Sequence, residues 1–94
     1  MHYLVAGILK PGSEDKLVAL SNEFNEHLSQ PNRTISLFGL LRDKSGKRAG
    51  YIAFIDADSF DDAESFLEQS PFFQNELYER VEVAEFTPEV GNFQ

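Results

Sequence analysis

Residues 2–9 read His2-Tyr3-Leu4-Val5-Ala6-Gly7-Ile8-Leu9 and stop at Lys10-Pro11-Gly12, a turn signal. In an extended chain successive side chains point to opposite faces, which puts Tyr3, Val5 and Leu9 on one side and Leu4, Ala6 and Ile8 on the other. Neither face is polar. Such a segment predicts a central strand, with helices over one face and a second cover over the other.

Two later segments repeat the pattern. From Thr34 to Leu41, Ile35, Leu37 and Leu41 alternate with Phe38 and Leu40; from Tyr51 to Ile55, Tyr51, Ala53 and Ile55 alternate with Ile52 and Phe54. The polar run from Arg42 to Arg48 between them predicts a hairpin. A last strand, Arg80 to Phe86, sets Val81 and Val83 against Glu82, so one face is partly wet, as at a sheet edge. Helices fill the intervals. Ser13 is the expected N-cap of the first, with Glu14 and Asp15 at the positive end of its dipole, and Leu17, Leu20, Phe24 and Leu28 form one apolar stripe that ends before Pro31. Ser59 caps the second, Asp62 is its capping-box partner, and Phe60, Ala63, Phe66 and Leu67 face inward. Ser70-Pro71 then opens a short helix over Phe72 to Tyr78. The tail, Thr87 to Gln94, has no periodicity and reads as a loop or as a segment that orders against a partner.

Strand, helix, strand, strand, helix, strand is the ferredoxin-like βαββαβ order: an α+β fold with a four-stranded antiparallel sheet, in a single domain over residues 1–94. Two helices roof only one face of such a sheet. The other face calls for a second copy packed sheet to sheet, so the expected partner is the protein itself, as a homodimer.

Composition narrows the function classes. Sixteen acidic against eight basic residues give a net charge of −8, which repels nucleic acid and anionic membranes. There is no cysteine, which excludes thiolate chemistry and thiolate metal sites. The opening MHYLVAGILKPG carries no basic leader and its apolar run is too short to span a bilayer, so a cytoplasmic protein is expected. No Walker A, G-x-G-x-x-G or H-E-x-x-H pattern occurs, and no cofactor is expected. Asp56, Asp58, Asp61 and Asp62 lack the spacing of a calcium loop and suit a helix start, so no metal is expected either.

The run Asp58-Ser59-Phe60-Asp61-Asp62-Ala63-Glu64-Ser65-Phe66-Leu67, then Ser70-Pro71-Phe72 and Val81-Glu82-Val83, with the opening strand and Gly39, resembles the YciI-like (YCII-related) family. The resemblance covers nearly the whole chain and implies a dimeric α/β barrel made from ferredoxin-like subunits. It also implies a site, because members typically pair a histidine of the first helix with the aspartate of an Asp-Pro step. Here Ser70 stands in the aspartate's place, and ungapped counting back from Gly39 puts Asn22 near the histidine's, with His27 five residues on. A serine cannot hold the negative charge that orients an imidazole and raises its pKa.

Four residues are therefore candidates for ligand binding: Asn22, His27, Tyr51 and Ser70. His27 reads either as a general base at a cleft mouth or as a partly exposed histidine against the helix C-terminal carbonyls. Ser70 reads as a donor to a ligand or as the N-cap before Pro71. Asn22 reads as a hydrogen-bonding replacement for an imidazole or as a solvated helix residue. The expected role is a small-molecule binding or accessory protein that lacks the family's His/Asp pair. The alternative is a lyase or isomerase acting on a small aromatic or enolisable molecule, with His27 as base and Tyr51 or Ser70 as donor. A purely structural module predicts a filled interior.

Overall fold

All the apolar segments form strands in the computed structural model, which describes residues 1–91. In chain order the elements are β1 (His2–Leu9), α1 (Glu14–Ala19), α2 (Ser21–Leu28), β2 (Thr34–Arg42), β3 (Arg48–Asp56), α3 (Phe60–Glu68), α4 (Pro71–Gln74) and β4 (Tyr78–Glu85). The sheet is antiparallel, in the order β2-β3-β1-β4. This is the α+β ferredoxin-like arrangement. β1 is interior, as its two apolar faces require, and β4 lies at an edge.

Register decides which side chains meet the helices, because directly paired residues share a face. Tyr3 pairs with Ile55 and Glu85, and Val5 with Ala53 and Val83. Tyr3, Val5, Ala53 and Ile55 then pack with Ala63, Phe66 and Leu67 of α3 into one buried cluster. A second cluster joins Leu9 to Leu17, Phe24, Phe72 and Leu77. The opposite face carries Leu4, Ile8, Ile52 and Phe54, all half-buried, and Leu37, which is 56% exposed.

The first helix departs from the single apolar stripe expected of it. At Leu20 the backbone leaves the helical region (φ −100°, ψ 6°), dividing α1 from α2. The hydrogen bonds Leu20 N to Lys16 O (3.0 Å) and Phe24 N to Leu20 O (2.9 Å) survive the junction, so it is a kink. Ser21 Oγ donates to Val18 O at 2.9 Å, a local side-chain bond that competes with regular helix. Ser13 holds the N-cap position of α1, and its carbonyl accepts from Leu17 N at 2.9 Å, but its side chain does not cap the helix. Its Oγ donates back to Lys10 O at 2.6 Å, closing the preceding turn.

The second half keeps its caps with one change of partner. Ser59 Oγ accepts from Asp62 N at 3.1 Å, but Asp62 Oδ2 accepts from Asp58 N at 3.1 Å, one residue before the cap. The short helix ends at Gln74, well before the expected Tyr78, because Glu76 takes a left-handed φ of 59° and Leu77 N closes onto Phe72 O at 2.9 Å. That turn buries Leu77 and starts β4 at Tyr78, two residues earlier than expected. Leu9 pairs with Tyr78 while Ile8 pairs with Arg80, so Glu79 is an extra residue, and the bulge turns Tyr78 to the helix side. Thr87 to Gly91 forms no helix or strand, and the rest of the expected tail lies outside the described residues.

Tyr78 has room because β1 carries a glycine below it. A methyl group on Gly7 would overlap the Tyr78 ring, whereas nothing lies within 4 Å of the corresponding position at Gly39. Gly7→Ala is therefore expected to destabilise the fold by about 1–3 kcal/mol through overpacking, and Gly39→Ala to change it little. Chemical denaturation of the two variants beside the parent chain checks this, and equal midpoints for all three would refute it.

Candidate functional site

Residues three apart on a helix share a face, so α2 carries Phe24 and His27 together toward the sheet. α3 contributes Phe66, the α3–α4 joint Ser70, β3 Tyr51, and the bulged start of β4 Tyr78. His27, Tyr51 and Ser70 line one cavity between sheet and helices, with Phe24, Phe66 and Tyr78 completing most of its wall. Asn22 does not join them. It precedes Phe24 by two residues, about 200° around the helix axis, and is exposed. Three of the four candidates thus share a site, and the histidine that reaches it is His27.

His27 is neither exposed nor bound to helix carbonyls. It is 5% exposed, and among the described residues neither ring nitrogen makes a hydrogen bond. Its imidazole stacks on Phe66, with centroids 4.5 Å apart and planes at 26°. Burial lowers its pKa below the ordinary 6.5; the positive charge of Arg33 acts in the same direction, and the Phe66 backbone pulls it the other way. At neutral pH the ring is uncharged, with one nitrogen able to accept a proton.

Arg33 is committed elsewhere. Its Nη1 and Nη2 donate to Asp62 Oδ2 at 3.0 Å and Oδ1 at 2.9 Å, and its Cζ lies 5.5 Å from the Phe66 ring centroid. This fork ties the α2–β2 loop to α3 and holds the Asp62 carboxyl below the usual carboxylate range. The other acidic residues of the cluster disperse. Asp56 pairs with the Met1 ammonium at 2.8 Å, and among the described residues no three His, Asp or Glu side chains converge on a point.

Ser70 does what a serine before a helical proline should: Oγ accepts from Phe72 N at 3.2 Å. It is also 3% exposed and lines the cavity, so capping and cavity lining coincide in one side chain. Burial pushes the Tyr78 phenol above its ordinary pKa of 10, while the Ser70 side chain acts the other way as a hydrogen-bond partner. Tyr51 stacks on Phe38 (5.6 Å, 14°) and lies 5.3 Å from Phe24. Among the described residues no carboxylate lines this cavity. Its unfilled space is only about 20 Å³, room for one water. His27 also borders a second, open groove of about 500 Å³ between α2 and the α3–α4 corner.

Residues 1–87 match the YCII-related domain. The chain belongs to the YCII-related family. No curated protein matches it. Among solved structures, this YCII-related chain is similar to 5-chloro-2-hydroxyhydroquinone dehydrochlorinase (TftG) from Burkholderia phenoliruptrix AC1100 in complex with 2,5-dihydroxybenzoquinone. The TM-score is 0.82 and the identity 21%, over 93% of this chain and 94% of that one. At that identity the likeness shows the shared fold. Rv0793 from Mycobacterium tuberculosis aligns over 96% of this chain and 95% of its own, with a TM-score of 0.48 and 17% identity.

Replacing the unpartnered imidazole should stabilise the YCII-related domain: His27→Leu is expected to raise its unfolding free energy by about 1 kcal/mol or more. The pH dependence follows from the lowered proton affinity. Unfolded chains take up a proton near pH 6.5 that the native site resists, so this contribution is complete above about pH 6.5 and is lost as the pH falls through the folded pKa. Urea unfolding between about pH 8 and about pH 5 should show that slope in the parent chain and a weaker one in His27→Leu. A destabilised variant with an unchanged slope would contradict the assignment.

Proposed function

We propose that this protein binds a small, planar, hydroxylated ring in the cavity under α2, with the neutral imidazole of His27 accepting a proton or hydrogen bond from a ring hydroxyl. The carrying observation is that His27 is buried with two unpartnered nitrogens amid aromatic walls. Flat apolar walls with a few polar groups suit a ring, and Ser70 and Tyr78 supply those groups. The free cavity is too small for one, so admission requires half-buried Phe38 or Tyr51 to turn aside. TftG, which shares the fold, is seen with 2,5-dihydroxybenzoquinone, and this supports a ring of that size and polarity.

A second reading is proton transfer, in which His27 removes a proton from carbon next to a carbonyl while Tyr51 or Ser70 holds the enolate oxygen. It draws on the same neutral base and on His27 and Ser70 lining one cavity. Binding is the primary reading because Ser70 leaves the imidazolium of such a step without a carboxylate beside it.

Hydroquinone added to the ¹⁵N-labelled protein should shift the resonances of His27, Ser70 and Tyr78 and raise the melting temperature. His27→Leu should abolish both responses despite its greater stability. Silence from the parent chain would end the binding reading, and solvent deuterium appearing in a bound enolisable ring would favour the enzyme.

We also propose that the open sheet face is covered by a second copy. Leu4, Ile8, Ile52 and the 56% exposed Leu37 form an apolar surface that twofold packing would bury. Sedimentation at micromolar concentration should report twice 10.6 kDa, falling to 10.6 kDa in Leu37→Glu. A parent chain that sediments as the single 10.6 kDa unit would exclude the dimer.

A further inference from the structure

The groove bordered by His27 differs in character from the cavity beneath it. Its polar walls are Glu23 and Glu26 on α2, Gln30 in the loop that follows it, and Gln69, Gln74 and Asn75 at the α3–α4 corner. Among the described residues every charged side chain there is acidic. Among the described residues neither Glu23 nor Glu26 is paired with a cation, and as like charges three apart on one helix they repel each other. Beneath them lies a buried, unpartnered imidazole that borders both spaces. The guanidinium nearest to it, Arg33, is held by both oxygens of Asp62 and does not line either space.

We propose that this groove is the outer half of the same binding site, and that it selects aromatic ligands carrying an ammonium substituent over those carrying a carboxylate. The inference rests on the ring-binding reading above. The ring lies in the inner cavity with its hydroxyl toward His27, and the substituent emerges past α2 between the carboxylates of Glu23 and Glu26 and the amides of the facing corner. An ammonium there gains two anionic neighbours and hydrogen-bond acceptors. A carboxylate meets two like charges with no cation to offset them, on a protein whose net charge is already −8.

Three probes with one ring separate the possibilities: 4-ethylphenol, tyramine and 3-(4-hydroxyphenyl)propionate, titrated into the ¹⁵N-labelled full chain at low ionic strength. Tyramine should bind about three- to tenfold more tightly than 4-ethylphenol, and the propionate more weakly than 4-ethylphenol by a similar factor. Glu23→Gln/Glu26→Gln should bring tyramine level with 4-ethylphenol. Salt at about 0.5 M should do the same in the parent chain. Equal affinity for all three probes, or tighter binding of the propionate, overturns the selectivity and leaves the ring site standing. Binding of none overturns the ring site and this inference with it.

Discussion

Phe24 stacks on Phe72 with centroids 4.1 Å apart and planes at 14°, and this ring pair holds the first half of the chain to the second on the helix side of the sheet. Phe24 sits on α2 three residues before His27, and Phe72 on α4 two residues after Ser70. The contact therefore sets the distance between the imidazole and the α3–α4 joint. Tyr51, 5.6 Å from Phe72 and 5.3 Å from Phe24, fixes both rings to β3 below. Rigid aromatic packing of this kind positions side chains without needing polar bonds among them, and so His27 can be held in place with both nitrogens vacant.

The domain gives up stability at that point. At 94 residues it buries a modest share of its surface, and an unsatisfied group worth about 1–3 kcal/mol is a sizeable fraction of what such a domain has. The left-handed backbone of Glu76 carries strain in the same neighbourhood, and the bulge at Glu79 interrupts the ladder beside it. Both serve to turn Tyr78 inward over Gly7.

The architecture was legible because it rests on period-two apolar runs, which Tyr3, Val5 and Leu9 against Leu4, Ala6 and Ile8 display without ambiguity. The resemblance to the YCII-related family agreed with that reading at the level of fold. The site was less legible. The stripe Leu17, Leu20, Phe24, Leu28 hides the kink at Leu20, and ungapped counting through it put Asn22 where a histidine was expected. The helix phase of Phe24 was the usable signal, since a residue three beyond an inward phenylalanine also faces inward. Tyr78 was missed because its direction depends on a one-residue bulge and on a left-handed glutamate, neither of which composition or periodicity announces.

Ser70 and Arg33 together define what kind of histidine this is. An aspartate at the Ser70 position would draw His27 toward its charged form and turn it into a donor. A serine contributes only a hydroxyl, already engaged by Phe72 N, and leaves burial as the dominant influence. Arg33 reinforces that influence by its charge, yet Asp62 occupies both ends of its fork and its Nε is buried without a partner, so it cannot turn to meet an anion. The result is a neutral acceptor in a cavity that no charged side chain among the described residues lines. On the ring-binding proposal its complement is a weak acid presented by its hydroxyl, and a ring that arrives as a phenolate would lose that hydrogen bond.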